Sequence, residues 1–432
     1  MAKRVLSCFV AALLSMTLYA QSVIPNNPGV KPTFAIRNAT IYPVTAAPIP
    51  NGTIVFSRGV ITAVGTNVAV PSDAIVIDGS GLSVYPGLID AGDKVGLTEI
   101  SSVAGTVDTT EVGDLNPNAR AEIAINPHSN LIPVTRANGI TAVLSVPEGG
   151  IISGQSALIQ LAGWTPAEMV IKSNAGMHIR FPRLRSAPLA DQPQEEEAEK
   201  ELRKTYTKDL DKLRDLFRDA QAYAKAAAAH AHRFNRDTIL EALVPVVEGR
   251  EPAMIEANLA RDIRAALEFI DEFKLKAILV GAQDVKPLVP ELKRRNIPVI
   301  LGPILELPPR EDDPYDLLFA NAAALHEAGI KFAIRSNDDH NARNLPYHAA
   351  FCAAFGLPKD EALKAITIYP AQILGVDDRI GSLETGKIAN IIVTDGDPLE
   401  IVTNVKRVFI GGEDITLQTR HTQLYEKFKA RP

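Results

Sequence analysis

Few residues in this chain combine a type and a spacing that could do chemistry on their own. One His-x-His pair occurs, His230-Ala231-His232. Two imidazoles two residues apart can share a metal ion when they stand on one face of a β-strand. Here the pair ends an alanine-rich run, AKAAAAHAH, that reads as helix, where residues i and i+2 diverge by about 200° and cannot meet one ion. Gly381–Lys387 matches the opening of a phosphate loop, G-x-x-x-x-G-K. Ile388 replaces the Ser/Thr and a strand-like run follows, so the match reads as a hairpin turn. Asp395 and Asp397, in TDGDP, suit turn chemistry. Gly149, Gly150 and Gly154 lack dinucleotide spacing, and Ser153 has no G-x-S-x-G around it. Cys352 lies in an Ala/Phe-rich helical segment and reads as a buried small residue rather than a nucleophile. His128, His178, His348 and His421 have no sequence partner that singles them out.

The elements that must position any site are clearer. A chain of 432 residues suggests two or three domains. A net charge of −6 gives no basic field for nucleic acid. Met1–Ala20 has a basic start, Lys3 and Arg4, then an apolar stretch from Val5 to Leu14 and a small Ala20, which reads as a cleavable secretory signal. The expected location is secreted or periplasmic. Cleavage would remove Cys8 and leave Cys352 as the only thiol. No later run approaches 18 apolar residues, so the cleaved chain is not expected to be an integral membrane protein.

From Phe34, short β-type runs (Phe34–Arg37, Thr53–Ser57, Val60–Val64, Ala74–Asp78) separated by Asn51-Gly52, Arg58-Gly59 and Asp78-Gly79 predict a small antiparallel sheet. After Val84, apolar runs (Ala142–Val146, Met169–Lys172, Ala253–Ile255, Ala277–Val280, Pro298–Leu301, Phe332–Ile334) alternate with helical stretches such as Asn258–Phe273, Lys286–Arg295 and Pro314–Ala328. Six or more βα units over about 300 residues favour a (β/α)₈ barrel. Ala389–Thr394 and Lys406–Ile410 return to β texture, so one small domain would be built from both ends. Between Gln194 and His232, Leu202, Tyr206, Leu210, Leu213, Phe217 and Ala220 recur every three or four residues in a charged helix. That pattern fits a solvated helix packed by one face, with a lid or an assembly arm as the functional alternative.

Three stretches resemble the amidohydrolase superfamily, particularly its secreted imidazolonepropionase-like branch. They are AIVIDGSGLSVYPGLIDA, beginning at Ala74; GITAVLSVPEGGIISGQ, from Gly139 to Gln155; and NARNLP (Asn341–Pro346) with EALKAITIYPAQILGVDDRIGSLETGKIANIIVTDGDP (Glu361–Pro398). The resemblance implies an α/β fold, a (β/α)₈ TIM-like barrel with a small composite β-sandwich from N- and C-terminal segments. It organises the chain as signal 1–20, linker 21–32, sandwich 33–84 and 381–415, barrel 85–380 with a charged helical insertion at 194–232, and C-terminal helix 416–432. It also implies hydrolysis of non-peptide carbon–nitrogen bonds by water activated on one or two divalent metals. The ligands would be a His-x-His pair on strand one, His on strands five and six, and Asp on strand eight.

This chain departs from that ligand set at each position. Gly92 and Lys94 stand at the two strand-one histidines, Glu256 on strand five, Gly281 on strand six and Asn337 on strand eight, beside Asp338 and Asp339. The glycines offer no ligand atom and Lys94 would repel a cation. Metal binding lowers the pKa of water from 15.7 to about 7. At about 1.36 kcal/mol per unit, that is on the order of 12 kcal/mol. A general base such as Glu256 or Asp338 contributes about 3–5 kcal/mol. The expectation is therefore that the usual metal centre is lost and no cofactor is bound. A divalent metal (zinc or manganese) enters only through a relocated site of Asp93, Glu256, Asp338, Asp339 and His340. The competing expectation is that these carboxylates are ion-paired with Lys94 or Arg335, with Lys94 neutralising Asp93, Glu256 and Asp338. The pocket candidates are then Asp93, Lys94, Glu256, Asp338, Asp339 and His340. A non-catalytic protein binding a small molecule at the barrel mouth, or forming a homo-oligomer or meeting a protein partner through the helical insertion, is the alternative to a hydrolase.

Overall fold

The computed structural model describes residues 31–184, 193–229 and 235–431. The signal, most of the linker and the His230/His232 pair lie outside them. Two eight-stranded sheets organise the chain. The first collects β1 (Phe34–Ile41), β2 (Ile49–Ser57), β3 (Val60–Gly65), β4 (Ile75–Asp78) and β5 (Ser83–Pro86) with β14 (Ile391–Thr394), β15 (Val405–Ile410) and β16 (Glu413–Ile415). Its N- and C-terminal parts meet where β5 pairs antiparallel with β14, so both ends of the chain build one layer. The expected all-antiparallel arrangement needs a correction: β4 and β5 both pair parallel with β1. Each of them returns to the same edge of β1 after a crossover, which a chain of simple hairpins would not do.

The second sheet runs in chain order: β6 (Leu88–Asp93), β7 (Ile140–Ser145), β8 (Ile152–Gln160), β9 (Val170–Arg180), β10 (Ala253–Ala257), β11 (Ala277–Gly281), β12 (Val299–Leu301) and β13 (Phe332–Ile334). It is a TIM-like barrel with one departure, because β8 lies antiparallel to both neighbours. Period-two alternation fills the interior with Ile89, Ala91, Ala142, Leu144, Met254, Ile278, Val280, Ile300 and Ala333, all buried. Alternate residues such as Ile255, Leu279 and Phe332 face the surrounding helices. Between β13 and β6 the closure is thin. Asn337 N–H donates to the Gly92 carbonyl at 3.2 Å, while the Ala365 and Ile366 carbonyls accept from Ile334 and Ile89.

A 37-residue helix, Pro193–Ala229, occupies the charged insertion. Leu213, Phe217 and Ala220 are buried, and the Phe217 ring packs 5.1 Å from Phe269 and 5.4 Å from Phe273 on the barrel helix Ala260–Phe273. Arg214 and Arg218 both pair with Glu272. The one-faced pattern is thus a docking seam against the barrel, and it carries Leu202, Tyr206 and Asp209 out over the barrel mouth. No helix among the described residues is long and apolar enough to cross a membrane. Replacing Phe217 by Ala removes the central ring of this seam and is expected to cost about 3–5 kcal/mol. Urea unfolding measures the loss, and limited proteolysis should cut the long helix of the variant first.

Candidate functional site

The alternation that buries Met254 and Ala333 carries Glu256 and Arg335, two residues on, to the same inner face at the C-terminal ends of β10 and β13. There the Arg335 guanidinium donates to Glu256 Oε1 at 2.8 Å through NH2 and to the Gly302 carbonyl at 3.0 Å through Nε. The Arg335 side chain is 5% exposed and Glu256 34%. Burial works against ionisation of Glu256, yet the Arg335 charge, with Arg180 beyond it, draws its pKa below the ordinary value.

Two glycines make room for this arrangement. A Cβ on Gly92 would stand 3.1 Å from Arg335 Cδ, so the strand-one position holds the arginine stem instead of an imidazole. A Cβ on Gly281, whose φ is +85°, would stand 2.2 Å from Asn258 Oδ1, so the strand-six position is filled by an amide. The residues present do not fit the family's metal. Two ligand positions lack a donor atom, their space is taken, and a fixed cation sits against the remaining carboxylate.

His178, on the inner face of β9, was missed by sequence reasoning. It is buried, and its Nε2 has no hydrogen-bond partner. It lines a cavity of about 30 Å³ at the mouth with Ser153, Arg180, Glu256, Arg335 and Asn337. Burial first, then the Arg335 charge, push its pKa down to about 3, so the imidazole is neutral at physiological pH. A wider cleft of about 630 Å³ opens beside it, between the mouth and the long helix. Arg180, Arg183, Tyr206 and Asn258 are among its walls.

The other candidates converge only in part. Asp93 is fully buried and accepts from Lys94 N–H (2.6 Å), Val95 N–H (3.1 Å), Ser336 Oγ (2.6 Å) and Asp338 N–H (2.8 Å). Lys94 turns away and pairs with Glu148 at 3.5 Å, which corrects the expectation that it neutralises Asp93, Glu256 and Asp338. Asp338, Asp339 and His340 place one ligand atom each within 4.8 Å of one another. His340 Nδ1, however, is already bonded to Asp339 Oδ1 at 2.8 Å, and Asp338 Oδ2 accepts the Asn341 amide. With Asp93 and Glu256 committed elsewhere, the five-residue relocated site does not assemble. Cys352 is buried, and burial pushes its thiol up to about 12.

A second buried constellation, also unseen in the sequence, sits at the barrel closure. The Ser336 hydroxyl is within hydrogen-bonding distance of both Asp90 Oδ2 and Asp93 Oδ2, and it has only one proton to donate. Asp93 already accepts at both oxygens, so the arrangement is complete when Asp90 keeps a proton and donates it to Ser336 Oγ, and Ser336 donates to Asp93. Burial, then the neighbouring Asp93 charge, raise the Asp90 pKa.

The comparisons with known proteins agree with this architecture. The family model for the amidohydrolase family matches residues 203–414. Amidohydrolase tasK of Hapsidospora irregularis is 24% identical over 436 residues, covering 89% of this chain and 43% of that protein. An imidazolonepropionase of Symbiobacterium thermophilum is 35% identical over 81 residues, 17% of this chain and 19% of that protein. The chain therefore spans less than half the length of these curated relatives. Among solved structures, an amidohydrolase from Thermotoga maritima MSB8 superposes with a TM-score of 0.79 at 27% identity, covering 89% of this chain and 99% of that one. Fold and site define a TIM-like barrel with a composite β-layer and an ion-paired mouth. By the family match over residues 203–414 and this structural likeness, the chain is similar to proteins of the amidohydrolase family.

The Asp90 arrangement has a pH signature. A carboxyl whose folded pKa is raised contributes stability that is full below the unfolded value near 4 and is lost as pH rises through the folded value. Asp90→Asn supplies the same donor without a titrating proton. Relative to the parent, its unfolding free energy is expected to fall less with rising pH, as read by urea unfolding of both proteins from about pH 4 to about pH 9.

Proposed function

We propose that this chain is a degenerate amidohydrolase-superfamily protein whose barrel mouth binds a small molecule and does not carry out metal-dependent hydrolysis. The observation that carries this reading is the Arg335–Glu256 pair, a guanidinium held where the family's chemistry would require a metal. Without an activated water, the remaining groups fall short. A general base supplies about 3–5 kcal/mol, and the candidate bases here are already engaged. Glu256 is tied to Arg335, and Asp93 accepts four hydrogen bonds. The neutral, unpartnered His178 and the cleft beside it support binding instead.

The second reading is the inherited one, a hydrolase of non-peptide carbon–nitrogen bonds. The family match favours it, and the close approach of Asp338, Asp339 and His340 is the cluster among the described residues that it could use. Kinship with the imidazolonepropionase-like branch rests on short local matches, one of 46% identity over 41 residues in an imidazolonepropionase of Erwinia tasmaniensis. A secreted or periplasmic location rests on the N-terminal sequence alone.

Elemental mass spectrometry separates the two readings. The protein would be purified without chelator after expression with zinc and manganese. The expected result is a folded chain with well under one ion per molecule. Gly92→His/Lys94→His is also expected to gain no metal, because Arg335 fills the space beside Gly92. Roughly one ion per chain or more in the parent would overturn the proposal and revive the hydrolase.

A further inference from the structure

On the same end of the barrel as the mouth, the segments that follow β9, β10, β11 and β12 enclose a cavity of about 710 Å³ lined by Arg183, Arg261, Arg264 and Arg310 with a single carboxylate, Asp284. The volume is in the range of small-molecule sites. No lysine lines it, and the whole chain is acidic, with a net charge of −6. Four arginines and one carboxylate thus line this cavity, a cationic lining on a chain that is acidic as a whole.

Asp284 lines the cavity itself, whereas the other counter-charges, Asp262, Glu291 and Asp313, are not among its lining residues. Arg261 meets Asp262 at 3.4 Å, Arg264 meets Glu291 at 3.7 Å, and Arg310 meets Asp284 and Asp313, each at 3.0 Å. The side chains of Arg261, Arg264 and Arg310 are 42–54% exposed, whereas Asp262 is 5% and Asp313 9% exposed. Asp313 and Asp284 thus orient the Arg310 head by hydrogen bonds, while Arg261 and Arg264 pair more loosely. A guanidinium has five donors, and the ion pairs of Arg264 and Arg310 use only some of them. Arg183 has no ion pair among the described residues, and it lines both this cavity and the cleft at the mouth, so the two are adjoining parts of one rim. Planar, fixed, multi-donor cations match carboxylate and phosphate oxygens and bind them with little further ordering cost.

We infer that this arginine-lined cavity binds a small organic oxyanion, a metabolite carrying phosphate or carboxylate groups, next to the ion-paired mouth. The inference rests on the reading of the chain as a binding protein and names the class of its ligand.

Isothermal titration calorimetry of the full chain at low ionic strength tests it, with inorganic pyrophosphate and citrate as separate probes to distinguish phosphate from carboxylate. At least one probe is expected to bind saturably at one site per chain. Arg183→Gln/Arg264→Gln should weaken that binding at least tenfold. Lys427→Gln, which removes a cation from the helix Arg420–Lys429, should leave it unchanged. Both Arg183 and Arg264 are exposed, so the double variant should fold, and an unchanged circular dichroism spectrum and melting temperature verify this. Single variants, each weakening binding in part, serve if it does not. No binding of either probe, or equal weakening by Lys427→Gln, overturns the inference. Either failure leaves the Arg335–Glu256 pair untouched, whereas metal uptake at the mouth would remove the broader reading and leave the titration standing.

Discussion

A guanidinium buried at the axis of a barrel must have a counter-charge, and Arg335 takes Glu256 for it. Much of the mouth follows from that requirement. Arg335 needs the missing side chain at position 92 for its stem and the Gly302 carbonyl for its Nε. Its charge helps keep His178 neutral and holds Glu256 ionised. In the ligand set that the resemblance implies, a carboxylate and imidazoles at these strand ends would surround a cation. Here the cation at the mouth is Arg335, and the space beside Gly92 and Gly281 is filled by its stem and by the Asn258 amide.

Strand one shows the same change of use. Asp90 and Asp93 are joined to strand eight through the Ser336 hydroxyl, which bridges the two carboxyls and helps close a barrel whose main-chain pairing at that point is sparse. Polar groups at the ends of these strands thus contribute to closure and packing. What stays open to solvent is the rim: the cleft roofed by the long helix and the arginine cavity beside it. Both are concave and lined by charged side chains.

Much of the fold was legible in the sequence because it depends on short-range pattern. Phe332–Ile334 is an apolar run with the bounds of β13, and the recurrence through Leu213, Phe217 and Ala220 marks the face that docks. The antiparallel β8 was not legible, since an apolar run carries no direction. The substitutions at positions 92, 94, 256, 281 and 337 could be read only by laying the chain against a family pattern. Their consequences depend on partners far away in sequence: Ser336 lies 246 residues from Asp90, and Arg335 lies 79 from Glu256. Lys94 was expected to join the carboxylates and pairs with Glu148 instead, because the direction of a side chain just past a strand end depends on the loop that follows. His178 is one of several histidines without a sequence neighbour, and only its burial and unpaired Nε2 set it apart.

The central claim is that Arg335 and Glu256 complete one another and leave no place for a metal. The most direct measurement is a double-mutant cycle of urea unfolding with Arg335→Met, Glu256→Gln and the pair, run in chelator and again in excess zinc. The pair lies between an exposed ion pair, worth about 0–1 kcal/mol, and a fully buried one, whose disruption costs about 3–5 kcal/mol. The account predicts a coupling of about 2 kcal/mol, the same in both conditions. A coupling near zero, or a parent protein that zinc stabilises, would contradict it.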